Sequence, residues 1–259
     1  MNRIEEKMTA LKNEGRKAFI TYTTAGLPDM ETTKKIMFAQ QEAGIDVMEL
    51  GIPFSDPVAD GPVIQAASYE AIQKGATLTK IFTLMKEVRK EGLTTPVVFM
   101  MYYNTVYHYG LEEFVEMCAD CGVDGLIIPD LPYEEQKEIN AVLAENEAAP
   151  ILIQLVSPVS KQRIPMIVNN ARGFVYCVSQ MGVTGNGANF HKQIREYLLE
   201  VKKNSPVPVM MGFGIRTALE DIIDGAIVGS HFITLMKENN YDENVIKEYI
   251  SSFKKEMNE

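Results

Sequence analysis

Apolar positions along the chain fall into two alternating kinds of segment. Short runs rich in β-branched and aromatic residues read as buried strands at 18–24 (AFITYTT), 46–51 (DVMELG), 96–101 (PVVFMM) and 124–129 (DGLIIP). Four more follow at 150–156 (PILIQLV), 173–179 (GFVYCVS), 207–212 (VPVMMG) and 225–229 (GAIVG). Longer stretches with apolar residues at helical spacing lie between them. Strands that alternate with helices need crossover connections and pair in parallel. Their near-continuous apolar character fits a sheet covered on both faces.

Cap and stop residues mark the helices. A helix over 29–43 begins at Asp29, after Pro28, and stops at Gly44; one over 112–121 stops at Gly122; one over 133–146 follows Pro132. A helix at 2–14 precedes the first strand and is placed to plug one end of a barrel. Two helical stretches, 62–74 and 78–91, lie between the second and third strands, one more than a minimal unit needs. No low-complexity tract or Pro/Gly/Ser linker divides the chain. The reading is therefore α/β: one (β/α)8 TIM-barrel domain over 1–259, with an extra N-terminal helix and an extra helix after strand 2. A doubly wound open sheet would want a glycine-rich first turn. The first turn here is TAGLPD, with one glycine.

Charge narrows the function. Lys+Arg number 25 against Asp+Glu 35, a net charge of −10. Such a chain repels a phosphate backbone, so no nucleic-acid role is expected, and an anionic substrate must be held by local donors. The N-terminus is polar, with no apolar run behind a basic start. No apolar stretch reaches the roughly 18 residues of a membrane helix. An odd cysteine count of 3 argues against a disulfide framework. A cytoplasmic protein is expected, without membrane contact.

In a barrel, catalytic groups gather at the C-terminal ends of strands. The leading candidate is Glu49 in ELGIPFSDPVADGP. If Met48 and Leu50 face the helices, then Val47, Glu49 and Gly51 face the bore. A carboxyl buried there is raised toward neutrality and becomes a usable proton donor and acceptor. A register shifted by one residue would instead put Glu49 outside. The next loop holds Asp56 and Asp60 between Pro53, Pro57 and Pro62, which stiffen it. Asp60 reads two ways, as a carboxylate offered to substrate or as the N-cap of the helix near Pro62. Glycine clusters at 182–187 (GVTGNG), 212–216 (GFGIR) and 229–232 (GSHF) follow strands six to eight, where barrels bind phosphate on backbone amides. Tyr102, Asn104 and Tyr107 follow strand three and are placed to line the mouth. Cys118 and Cys121 form a CxxC without a second pair, so core packing is expected and no metal site.

The run ELGIPFSDPVADGP, followed in order by GVTG and GFGI, resembles the tryptophan synthase alpha subunit family over nearly the whole chain. The segment from Glu49 to Pro62 is the specific part; the glycine motifs support it. The resemblance implies a retro-aldol lyase that splits indole-3-glycerol phosphate into indole and glyceraldehyde 3-phosphate, with no cofactor in this chain. By its motifs, Glu49 is implied as general acid/base and Asp60 as the carboxylate on the indole N–H. Tyr22, Tyr102, Ile127, Ile153 and Tyr176 are implied as the indole pocket, with Thr184 positioning Asp60 from a lid-like loop. Gly185, Gly214, Gly229 and Ser230 are implied as phosphate donors. The family also implies a pyridoxal-phosphate beta subunit as partner in an α2β2 heterotetramer, met by Asp56, Pro57, Asn104 and Pro132. One departure stands out. Only ten residues, 215–224, lie between the GFG turn that ends strand seven (212–214) and strand eight. This is fewer than the family's usual length, and a helix of about two turns is expected there. The competing readings are a free-standing lyase that needs no partner and a non-catalytic activator of the beta subunit. A Schiff-base aldolase would need an inward strand lysine, and no expected strand carries one.

Overall fold

The computed structural model describes residues 1–178, 188–212, 219 and 221–259, without the side chains of 188–191. Helix α1 (Arg3–Asn13) precedes strand β1 (Ala18–Thr24). Then come α2 (Met30–Glu42), β2 (Val47–Gly51), α3 (Pro62–Gln73), α4 (Leu78–Lys90) and β3 (Val97–Met100). The chain continues through α5 (Tyr103–Tyr109), α6 (Leu111–Asp120), β4 (Gly125–Ile127), α7 (Lys137–Ala144), β5 (Ile151–Leu152) and β6 (Gln154–Val156). It ends with α8 (Ile164–Val168), β7 (Val175–Cys177), α9 (Ala188–Asn204), β8 (Val209–Gly212), β9 (Gly225–Val228), α10 (Ser230–Glu238) and α11 (Glu243–Asn258). All eight expected strands are present.

The sheet runs in the order β5-β4-β3-β2-β1-β9-β8-β7-β6, and every pair is parallel. Its two ends, β5 and β6, are halves of one chain segment interrupted at Ile153. The Ile153 N–H donates to Leu126 O at 2.9 Å on one side, and the Val178 N–H to Val156 O at 2.9 Å on the other. The sheet therefore closes on itself, and nine short strands make a barrel of eight.

Alternation along the strands sorts the core into an inside and an outside. Ile20, Val47, Val98, Ile127, Ile151 and Met210 pack within the bore. Phe19, Met48, Leu50, Phe99 and Leu126 pack outward with the helices. The expected register of β2 therefore holds, and Glu49 stands inside.

Helix α1 closes the N-terminal end. Its Ile4, Met8 and Leu11 share the bore cluster. The helix starts from a capping box, in which Asn2 accepts the Ile4 N–H at 2.9 Å while Glu5 reaches back to the Asn2 N–H. The Asn2 amide also donates to Asp124 O at 2.8 Å, and Arg3 pairs with the Asp124 carboxylate at 2.8 Å, which ties the plug to the start of β4. A β-carbon at Gly125 would lie 2.9 Å from Ile4 Cδ1, so the absence of a side chain there seats the plug.

The capping signals of α2 are as read. Asp29 accepts the Thr32 N–H at 2.7 Å, and Gly44 takes the left-handed conformation (φ +78°) past its end. The two helical stretches expected after β2 are α3 and α4, one more than a minimal unit needs. Of the connection 215–224, residues 219 and 221–224 are described, and none is helical. The rest of the expected two-turn helix lies outside the described residues. Among the described residues, no helix is long and apolar enough to cross a membrane.

Candidate active site

The C-terminal ends of the strands surround a cavity of about 450 Å³. Glu49 enters it from β2. Tyr22, its register partner on β1, and Ile127 on β4 line the same space, with Tyr176 on β7 and Ile227 on β9. Asp60 reaches it from the loop between β2 and α3, and Gly229 and Ser230 close it at the start of α10.

Glu49 is 3% exposed, and its Oε2 has no hydrogen-bond partner among the described residues. A carboxylate without donors in an apolar bore is costly to ionise. Burial pushes the Glu49 carboxyl up to about 8, and repulsion from Asp60 acts in the same direction. Near neutrality the group is therefore largely protonated, yet close enough to its midpoint to give up and take back a proton.

Asp60 is half-buried, and burial raises its carboxyl as well. A hydrogen bond from Tyr102 opposes that rise. The Tyr102 hydroxyl donates to Asp60 Oδ2 at 2.9 Å and accepts the Ala59 N–H at 2.9 Å. This double contact holds the loop against the end of β3. The Tyr102 ring is stacked on Phe54, with ring centroids 5.1 Å apart. The N-cap of α3 is Gly61, and no side chain caps that helix. Of the two readings of Asp60, capping is thus excluded, and the carboxylate is free to face the cavity.

Tyr22 is placed by Gly51. A β-carbon at Gly51 would lie 2.0 Å from the Tyr22 hydroxyl oxygen and 2.3 Å from Cζ. The phenol thus crosses strand β2 one inward position above Glu49. The Thr24 hydroxyl donates to the Tyr22 oxygen at 3.5 Å. Burial raises both the Tyr22 and the Tyr176 hydroxyls, so both stay neutral.

Most of the residues expected at the site converge on it. Tyr102 reaches the cavity through Asp60, and Ile153 packs in the bore with Ile127 and Ile151. Thr184, Gly185 and Gly214 lie outside the described residues; of the lid-like loop expected over 182–191, residues 188–191 belong to α9 and the rest lie outside the described residues. Tyr107 is 70% exposed on α5, away from the cavity. Asp56, Asn104 and Pro132 are exposed and Pro57 partly so, each just beyond the C-terminal end of β2, β3 or β4. Cys118 and Cys121 are buried in the outer core.

The cavity also holds Met100 and Leu155, which the sequence does not single out: Leu155 follows from alternation past Ile153, but Met100 needs the pairing of β2 with β3, and Ser157 and Ser160 carry no local signal. Ser157 and Ser160 form a small polar corner after β6, where the Ser157 N–H donates to Ser160 Oγ at 3.1 Å.

A closed parallel barrel with a cavity at its C-terminal mouth, two raised carboxyls in it and a helix N-terminus beside them has the layout in which barrel enzymes carry their active sites. The comparisons give the family. A family model described as tryptophan synthase alpha chain matches residues 8–259. The tryptophan synthase alpha chain of Lachnospira eligens is 73% identical over 263 aligned positions, covering 100% of each chain. That of Thermoanaerobacter sp. strain X514 is 46% identical, covering 98% of this chain and 99% of its own. Among solved structures, tryptophan synthase subunit alpha from Legionella pneumophila superposes with a TM-score of 0.88 at 32% identity, over 99% of this chain and 98% of that one. Tryptophan synthase from M. tuberculosis, in an open form with BRD0059 bound, gives 0.84 at 30% identity, over 98% and 99%. The chain belongs to the tryptophan synthase alpha chain family.

Proposed function

We propose that this chain cleaves indole-3-glycerol phosphate into indole and glyceraldehyde 3-phosphate, with Glu49 as acid and base and Asp60 as its electrostatic counterpart. The observation that carries the reading is the convergence of both carboxyls on one cavity at the C-terminal mouth, with Glu49 raised to about 8 and its Oε2 without a hydrogen-bond partner among the described residues.

The chemistry follows from that pair. Indole is a poor leaving group until its C3 carries a proton. Glu49, protonated near neutrality, donates to C3, and the ring becomes a cation with its charge largely on nitrogen. The Asp60 carboxylate, held by Tyr102, accepts the ring N–H and stabilises that cation. Glu49, now ionised, takes the proton of the adjacent glycerol hydroxyl. The oxygen's electron pair forms the aldehyde carbonyl as the carbon–carbon bond to C3 breaks, and the ring regains its aromatic pair. Glu49 ends protonated, so the cycle closes.

Tyr22, Ile127 and Tyr176 supply walls for the indole, with Ile153 deeper in the bore, and Thr184 is assigned the role of positioning Asp60 by the family resemblance. Gly229 and Ser230 present the first amides of α10 to the phosphate, with Gly185 and Gly214 as further donors. An acidic chain needs such backbone donors for an anion. We place a pyridoxal-phosphate beta subunit on the rim formed by Asp56, Pro57, Asn104 and Pro132. It receives the indole within a cytoplasmic α2β2 assembly, and this chain itself holds no cofactor.

The test is indole release from indole-3-glycerol phosphate by the purified chain, with and without a beta subunit. Slow release that the partner accelerates strongly supports the reading. Fast release without a partner points to a free-standing lyase, and no release under either condition overturns the catalytic assignment.

A further inference from the structure

Asp130 is exposed and does not line the cavity, yet it is tied to the residue that holds Asp60. It occupies the third position of the turn that follows β4, closed by the Leu131 N–H donating to Ile128 O at 3.2 Å. Pro129 fixes the second position of that turn and also lines the cavity. The turn is therefore anchored to the barrel wall, and the Asp130 backbone is set by β4.

The Asp130 carboxylate accepts the Tyr103 N–H at 2.9 Å. Tyr103 is the first residue of α5, whose N-cap position is Tyr102, and no side chain at that position caps the helix. A tyrosine side chain is too long and rigid to fold back onto the first amides. The acceptor comes instead from a different strand's turn. The same Tyr102 carries the hydroxyl that donates to Asp60 and accepts from Ala59. From Asp130 the path runs through one hydrogen bond to Tyr103, one peptide link to Tyr102, and one hydrogen bond to Asp60. Because α5 has only seven residues, fraying its first turn removes much of the helix.

We propose that Asp130 is a positioning residue for the reaction: by capping α5 from the β4 turn it fixes Tyr102, and through Tyr102 it holds the Asp60 carboxylate at the cavity. The link to catalysis rests on the function proposed above; the link to Tyr102 does not.

The experiment uses Asp130→Ala and Asp130→Asn in the full chain, with two readouts. One is exchange of the Ala59 backbone amide, which reports the Tyr102 contact directly by NMR. The other is kcat/KM for indole release in the presence of the beta subunit. Asp130→Ala is expected to speed Ala59 exchange about fivefold, the factor that a lost cap corresponds to, and to lower kcat/KM by about tenfold. Asp130→Asn retains the accepting oxygen and is expected to stay within about twofold on both. In a Tyr102→Phe background, Asp130→Ala should add less than about twofold, because the two residues act in series. Unchanged Ala59 exchange in Asp130→Ala overturns the proposal. So does a full, additive loss in the Tyr102→Phe background, or an Asn variant as impaired as the Ala variant. If wild-type protein released no indole, the functional reading would fall, while the exchange measurement would still decide the role of Asp130.

Discussion

The Tyr22 hydroxyl oxygen lies 2.0 Å from the point where a β-carbon at Gly51 would stand. One residue's missing side chain thus makes room for another's phenol, directly above the catalytic candidate on the same strand. Gly51→Ala must push Tyr22 into the cavity or out of the bore. We expect it to lower kcat/KM by about tenfold or more, since misplacement of about 1 Å can cost a hundredfold. Tyr22→Phe will not relieve the clash, because Cζ and Cε2 also lie within 2.6 Å of the added carbon. Kinetics of the single and double variants check this; an alanine at position 51 with full activity would show that the packing is not needed.

Tyr102→Phe removes the donor to Asp60 and the acceptor of the Ala59 N–H together. The lost bond favours the charged carboxylate, so without it the Asp60 carboxyl rises further above its ordinary value. Activity that needs ionised Asp60 should then begin at higher pH than in the wild type. The acid limb of the kcat/KM–pH profile measures this, and an unmoved limb would separate Tyr102 from Asp60 function.

The raised Glu49 carboxyl makes stability depend on pH. Its pKa of about 8 in the folded chain against an ordinary 4.5 means that folding favours the protonated form. That contribution is complete below about pH 4.5, shrinks as pH rises, and is lost above about pH 8. The loss over this window is on the order of a few kcal/mol. Glu49→Gln cannot ionise and escapes it. The stability of the variant relative to wild type should therefore grow between pH 5 and pH 8, as read by urea unfolding. An equal difference at both pH values would mean that Glu49 is not desolvated.

The plug helix offers a test of the fold apart from the site. Ile4 is fully buried against Gly125 and the bore residues. Ile4→Ala should cost about 2–4 kcal/mol through the cavity it leaves. Once folded, the protein should bind substrate normally, because Ile4 sits at the opposite end of the barrel. A large change in KM at temperatures well below unfolding would contradict that separation.

How much of this was visible in the sequence depends on how local each signal is. The strands of a parallel barrel are buried on both faces, so their apolar runs stand out, and one turn of alternation was enough to put Glu49 inside. The α1 plug was legible for the same reason. Asp60 was ambiguous, because an aspartate before Pro62 suits a cap as well as a substrate, and only the distant Tyr102 hydroxyl decides between them. Helix α5 (YNTVYHY) carries no helical signature in the sequence: it is short and rich in aromatic and β-branched residues, and its cap comes from Asp130, 27 positions away. Helix α8 (IPMIV) merges with an apolar run and a proline. The split of the fifth strand at Ile153 follows from barrel closure, which no local pattern records.

The most direct test of the account is indole release by Glu49→Gln beside wild type, in the presence of the beta subunit, with folding and partner binding verified for both. The amide fills the same space but can neither donate an acidic proton nor accept one. The account predicts a loss of about a thousandfold or more in kcat, within the range general acid–base groups contribute, with substrate binding retained. Turnover within a few-fold of wild type would contradict it and remove Glu49 from the chemistry.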